Sequence, residues 1–332
     1  MKLLINCLPR ALLLFNTMFS CHLFPIGTCF MRVLFNATCL LSKSLATTFT
    51  SSVESNYHSF QNLIKVSLRF QPIRTLSTMG LESHVTKKDF QRLPTTVKPV
   101  NYRLKLQPDL KKFVFAGTSD IEVNVVQATN QIVLNAAELQ IKEASFKTAC
   151  GKSFNGSIAF DDAEERAIFS FPEELPTGNG VLSLKFDGIL NDKLRGFYRT
   201  KYELNGEERY AAVTQFESTD ARRSFPCWDE PAIKSTFDVT LVSPKDKVAL
   251  SNMPVRKEVV EGDLKITEYD RTPIMSTYLV AFIVGDFEHI ETTDSNGVLV
   301  RVFTQIGKKE QGKFALDVAA KCLPFYKVII TI

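Results

Sequence analysis

The chain has 332 residues, 45% of them hydrophobic and 23% charged, an ordinary globular composition with ample material for a core, which argues against disorder as the default. Its formal charge of +4 is unevenly placed: the first 80 residues hold seven Lys or Arg against the single acid Glu54, a net +6 that leaves −2 for the remainder. A nearly neutral body lacks the clustered cations that phosphate tracking needs, so no nucleic-acid partner is expected.

Residues 1–80 read as a leader or extension, and three accounts of it stand side by side. The 21 residues between Arg10 and Arg32 carry no formal charge and suit a secretory signal or membrane anchor within residues 1–41, although His22, Pro25 and Gly27 make a poor spanning helix. Few acids, scattered arginines and the Ser/Thr-rich stretch Ser42–Ser52 suit a mitochondrial transit peptide instead. In the third account translation starts at Met79, just ahead of the folded body, and the protein is cytoplasmic. Four of the seven cysteines (Cys7, Cys21, Cys29, Cys39) sit in this segment. The other three, Cys150, Cys227 and Cys322, cannot all pair internally and form no CxxC, which suits a reducing compartment. The sequons at Asn36 and Asn155 matter only if the chain is secreted.

From Pro99 onward short alternating runs are broken by turn residues, the pattern of antiparallel sheet with one face buried. Val100, Tyr102, Leu104 and Leu106 alternate first, and Phe113 and Phe115 follow. Next come Ile121, Val123 and Val125, then Ile132–Leu134, Ala167–Phe171, and the run from Val181 to Phe186. Later strands are expected at Tyr210–Phe216, Thr236–Val242, Leu264–Tyr269, Met275–Val284 and Val298–Phe303. Asn155-Gly156, Gly178-Asn179-Gly180, Asn205-Gly206 and Asn296-Gly297 supply positive φ cheaply and predict hairpins at several of these points. Strands at this spacing without intervening helical periodicity predict a mostly β, saddle-shaped antiparallel sandwich. The first convincing helix comes last, over Lys309–Tyr326, with Phe314, Val318, Cys322 and Phe325 along one face and Pro324 limiting it.

The most informative stretch is Tyr210–Pro231, YAAVTQFESTDARRSFPCWDEP. Together with KPVNYRLKLQPDL, GFYRTKY and MSTYLVAFIVGDFEHI, in that order and spacing, it resembles the N-terminal part of zinc aminopeptidases of the gluzincin (aminopeptidase N-like) family, most closely the puromycin-sensitive branch. The resemblance runs from about Phe90 to Lys327. It implies an N-terminal β-domain over residues 90–292 and the start of an α/β catalytic domain over residues 297–332. It also implies that Glu217 receives the free α-ammonium of a peptide substrate and that Gln215, two residues earlier, lines the pocket for the first side chain. A carboxylate suits that role because it pairs with a cation that an internal peptide bond lacks.

Read without the motif, Glu217 is a surface acid paired with Arg222 or Arg223. Asp220, Arg222, Arg223, Asp229 and Glu230 are expected to brace a loop by ion pairs. Cys227 is expected to be buried packing rather than a nucleophile. His22, His58, His84 and His289 are isolated, and no His-Glu-x-x-His occurs in the 332 residues. Full-length members of the resembling family hold zinc through two His and one Glu; here no metal site and no cofactor are expected. The expectation is a substrate-recognition domain parted from its catalytic machinery, truncated after Lys327, with no catalytic residue of its own and inactive alone. The alternative is a non-catalytic isoform that acts as an interaction module, self-associating through the apolar segment Phe314–Ile332.

Overall fold

The structure is a computed structural model that describes residues 92–330, the last three by their backbone alone. The leader, with its targeting alternatives and the Asn36 sequon, lies outside the described residues.

Strands β1 (Val97–Asp109) and β2 (Val114–Val125) open the fold as an antiparallel pair. The inward face of β1 carries Tyr102, Leu104 and Leu106, as their alternation predicts. Val100 departs from it and is 50% exposed, because a bulge between Pro99 and Asn101 shifts the register by one residue. The bulge turns Asn101 inward, where its Nδ2 donates to Asp238 at 2.9 Å and its Oδ1 accepts from the Thr236 hydroxyl at 2.7 Å. Phe113 also leaves the pattern: it lies in the connecting turn with φ 59°, half-buried against the core, while Phe115 enters it.

The next strands alternate between two sheets. β3 (Thr129–Asn135), β6 (Ser157–Asp161) and β7 (Arg166–Leu175) form a three-stranded sheet in the order β3-β7-β6. β4 (Leu139–Thr148), β5 (Ser153–Asn155) and β8 (Gly178–Ile189) join the larger one. Asn155-Gly156 therefore makes no hairpin: β5 pairs with β4 and β6 with β7, and the dipeptide carries the chain from one sheet to the other. Three strand glycines lie under aromatic rings, Gly117 under Phe186, Gly188 under Phe115 and Gly180 under Phe146, so close that a Cβ would collide with the ring. Each ring fills the space that the missing side chain leaves.

β9 (Gly196–Leu204) and β10 (Glu207–Gln215) are a true hairpin, turned by Asn205 (φ 54°) and Gly206 (φ 80°) as a two-residue loop demands. After them come β11 (Thr236–Pro244), β12 (Val248–Ser251), β13 (Val255–Glu261), β14 (Leu264–Tyr269), β15 (Phe282–Gly285), β16 (Phe287–Thr293) and β17 (Leu299–Gln305). The large sheet runs β13-β14-β11-β1-β2-β8-β4-β5, a second sheet runs β12-β15-β10-β9, and β16 and β17 pair alone across the Asn296-Gly297 turn. One pairing is not antiparallel: β1 and β11 run parallel, with Asn101 opposite Thr236. The single strand expected at Met275–Val284 is broken by a 3-10 turn at Thr277–Leu279, because the Asn252 side chain donates to the Leu279 carbonyl and accepts from the Ala281 N–H. β15 keeps only four residues.

The large sheet, the three-stranded sheet and the inner side of the four-stranded sheet contribute to one shared apolar core, the sandwich-like β architecture that the alternation predicts. Phe197, Phe216, Phe225, Phe237 and Phe282 sit in it, each fully or almost fully buried. Burying a side chain of that size is worth about 1.5–3 kcal/mol.

A 3-10 turn at Lys309–Gly312 leads into helix α1 (Lys313–Ile330). Pro324 lies inside the helix instead of ending it. The packed face is also displaced from the expected one. Leu316, Ala319 and Leu323 meet Val298 and Val300, while Phe314 is 78% and Phe325 62% exposed. Among the described residues no helix is long and apolar enough to cross a membrane.

Candidate functional site

Strand β10 delivers the motif. Ala211–Thr214 are buried between β9 and β15, and the Thr214 hydroxyl accepts the Phe282 N–H at 3.1 Å. The strand ends at half-buried Gln215, and the next residue, Phe216, drives its ring between Phe282 and Phe225 at centroid distances of 5.6 and 6.0 Å. Glu217, Ser218 and Thr219 then stand exposed, and the Asp220 N–H closes the turn onto the Phe216 carbonyl at 2.8 Å. Buried Ala221 begins a 3-10 turn through Arg223. The three exposed residues are thus a short arch with both feet in the core. The Glu217–Ser218 peptide is cis.

Charges in this region are sorted. Arg222 donates from Nε to Asp229 at 3.0 Å and from Nη1 to Glu165 at 3.1 Å. Arg223 reaches Asp220 from Nε at 2.8 Å, Glu138 from Nη1 at 2.8 Å and Glu165 from Nη2 at 2.5 Å. The other Asp229 oxygen accepts from the Thr277 hydroxyl at 2.6 Å. Glu230 holds the start of the folded body, accepting from Arg92 and from the Leu93 N–H, both at 2.8 Å. Asp220, Arg222, Arg223, Asp229 and Glu230 are therefore braces, as the sequence suggests. Neither arginine pairs with Glu217, whose carboxylate has no hydrogen bond or ion pair among the described residues. The Gln215 amide likewise has no side-chain partner, and since β10 stops there, the alternation of a strand does not by itself carry on to Glu217.

Two acids of this network, Glu138 and Glu165, carry no sequence signal. They come from turns between β3 and β4 and between β6 and β7, and reach Arg223 across sequence separations of 85 and 58 residues. Both have left-handed backbones, φ 56° and 52°, unusual for a residue with a side chain.

Cys227 and Trp228 are packing. Both are buried, Cys227 forms a backbone bridge to Asn135, and the Trp228 N–H donates to the Tyr102 hydroxyl at 3.2 Å. Burial first, and the neighbouring Asp229 charge second, push the Cys227 thiol well above its ordinary range. Cys150 and Cys322 are also free thiols. His289 lies against Phe303 and 3.6 Å from Glu291. Among the described residues no group of three or more His, Cys, Asp or Glu is arranged to hold a metal, so these residues do not fit the zinc that the resemblance implies for full-length members.

Comparison with known proteins identifies the family. Residues 98–279 match the Peptidase M1 N-terminal domain, a span that includes β10 and the whole arch. The chain is 51% identical over 240 residues to Aminopeptidase M1 of Arabidopsis thaliana, covering 71% of this chain and 27% of that protein. It is 40% identical over 274 residues to Puromycin-sensitive aminopeptidase of Caenorhabditis elegans, covering 81% and 28%. It is 42% identical over 241 residues to "Aminopeptidase 2, mitochondrial" of Saccharomyces cerevisiae, covering 71% and 25%. The chain thus spans about a quarter of the length of these relatives. It belongs to the peptidase M1 family, whose N-terminal domain it carries.

Proposed function

We propose that this domain recognises the free α-ammonium group of peptide N-termini through Glu217, with Gln215 beside the first side chain, as the substrate-recognition part of an aminopeptidase of the puromycin-sensitive type. The observation that carries the reading is the isolation of Glu217: its carboxylate is exposed and unpaired while its charged neighbours from Asp220 to Glu230 are occupied by one another or by the rest of the fold. An acid presented on an arch with both feet buried needs no reorganisation to meet a cation.

The contribution of these residues is to bind and orient. Cleavage in the resembling family is zinc chemistry, and the ligands for it belong to a part of the relatives that this domain does not cover. A single exposed ammonium–carboxylate contact is worth roughly 0–1 kcal/mol, against the ~4 kcal/mol of a millimolar complex. The isolated chain should therefore bind N-termini very weakly and hydrolyse nothing.

The test is an NMR titration of the 15N-labelled protein with L-leucinamide, and with N-acetyl-L-leucinamide as the ligand lacking a cation. Shifts centred on the amides of Glu217 and Ser218 that need the free amine, and vanish in Glu217→Gln, are expected. Equal responses to the two ligands would reject the reading. Stoichiometric zinc in the purified chain together with turnover of aminoacyl amides would reject the assignment of cleavage to another domain.

A second reading, an interaction module, is favoured by the outward-facing Phe314 and Phe325 on α1. Its occupant would be a second copy of the chain. Sizing chromatography of the chain and of a variant with both phenylalanines changed to Ser decides it: monomer in both cases removes the support.

A further inference from the structure

Arg223 is the best-connected charge in the described part of the molecule, and its connections have one geometric result. Its three guanidinium nitrogens go to three carboxylates on three different segments: Asp220 in its own turn, Glu138 after β3 and Glu165 before β7. The side chain is only 9% exposed. A fourth segment is fitted to it, because Gly196 at the start of β9 has φ 68° and a Cβ there would lie 2.8 Å from the Arg223 Cβ. Three segments thus meet the guanidinium and a fourth lies against the base of the same side chain, and the two glutamates have left-handed backbones.

Of the three contacts, the one to Asp220 touches the arch. Asp220 closes the arch through its N–H on Phe216 and is held from outside by Arg223 Nε. Glu217 lies between these two anchors, three residues before Asp220. We propose that Arg223 is a positioning residue for Glu217: it fixes the far foot of the arch and, by occupying Asp220, Glu138 and Glu165, leaves Glu217 as the one unpaired carboxylate of these four for an incoming ammonium. The inference rests on the reading of Glu217 given above and deepens it.

A lysine cannot replace this arginine. Its ammonium is a point charge and cannot present a planar fork to three acids arriving from different directions. With Asp220 released, a second acid three residues from Glu217 competes for the same cation, and the arch loses its outer support.

The experiment is the titration of the full-length chain with L-leucinamide and N-acetyl-L-leucinamide, repeated on Arg223→Lys and Asp220→Ala, with thermal unfolding of each variant measured alongside. Asp220→Ala removes one contact of the three and leaves those to Glu138 and Glu165 in place, so it decides the matter if Arg223→Lys fails to fold. The expected result is that the amine-dependent part of the response falls about threefold or more, within the range that one exposed ion pair can supply. Changes in the spectrum of the free protein should stay confined to the arch and the turns that carry Glu138 and Glu165, which a general loss of structure would not produce. Wild-type amine selectivity in a folded Asp220→Ala or Arg223→Lys overturns the positioning role while leaving Glu217 as the receptor. No amine selectivity in the wild-type chain overturns the reading of Glu217 and this inference with it.

Discussion

The Tyr102 hydroxyl, in the first strand, accepts a hydrogen bond from the Trp228 N–H, 126 residues later, in a fully buried position. The same ring stacks on Phe237 at 4.9 Å and meets the edge of Phe225 at 6.1 Å. One residue therefore joins the opening strand of the large sheet to the segment that follows the arch. Burial, the largest cause, pushes the phenol well above its ordinary range, so it stays a neutral hydroxyl at all working pH values.

Tyr102→Phe keeps the ring contacts and strands the Trp228 N–H in the core. The expected loss is about 1–3 kcal/mol, the cost of an unsatisfied buried donor. Urea unfolding should show a lower midpoint at an unchanged slope.

Asp229 is 1% exposed at its side chain and serves both Arg222 and Thr277. Asp229→Ala leaves a nearly buried guanidinium short of its main partner and should cost about 3–5 kcal/mol. Asp229→Asn keeps an acceptor oxygen for Arg222, and its NH2 can donate to the Thr277 hydroxyl oxygen, so it should cost less and the order of the two unfolding midpoints is the check.

Two of the body thiols, Cys150 and Cys227, should react in a set order. Cys150 is exposed, and the Thr148 hydroxyl 3.0 Å from its sulfur is the first cause of a thiol pKa below the ordinary range, followed by the Lys152 N–H. Cys227 is buried and shifted the other way. Brief iodoacetamide treatment of the native protein at neutral pH should label Cys150 and spare Cys227 until denaturant is added, read by peptide mass spectrometry. Thr148→Val should slow labelling of Cys150. Equal labelling of Cys150 and Cys227 in the native state would contradict the assigned core.

Asp238 supplies a pH-dependent contribution. Burial acts to raise its carboxyl, but the hydrogen bonds from Arg271 and Asn101, with the Arg271 charge, together outweigh it and hold the group below the ordinary carboxylate range. A folded-state pKa below the unfolded one gives stability that is complete above the unfolded value, about 3.9, and is lost as pH falls from there through the folded value. The difference in melting temperature between wild type and Asp238→Asn should be constant near neutrality and shrink below about pH 4. A difference that grows on acidification would reverse the assigned sign.

Much of the fold is legible in the residues because inward positions on these strands alternate cleanly, as at Ile121, Val123 and Val125. Legibility fails where one local event shifts the frame. The bulge beside Val100 moves a valine outward, and the Asn252 contacts break what looks like one long strand after Met275. On α1, helical periodicity offers two apolar faces, and only the position of the β16–β17 pair selects the one with Ala319 and Leu323. At the site, Glu217 and Gln215 stand out only through the resemblance that the surrounding motif carries, whereas the charges from Asp220 to Glu230 read as braces on their own. Glu138 and Glu165 do not, since nothing local marks an acid whose partner lies 58 or 85 residues away. The isolation of Glu217 is equally invisible in sequence, because it depends on where every nearby cation has gone.

The parallel pairing of β1 with β11 sets a schedule for synthesis. Asn101 cannot meet Thr236 until the intervening 134 residues have been made, and at about 5–20 residues per second that takes on the order of ten to thirty seconds. Throughout that interval one edge of β1 lacks its neighbour in the large sheet, while β2 on the other side is made within the first 24 residues after Asn101. The nascent chain therefore carries an open sheet edge lined by Tyr102, Leu104 and Leu106, the kind of surface that other chains can pair with. Yield of soluble protein should consequently depend on translation rate and on chaperones that shield that edge, more than on the final stability of the domain.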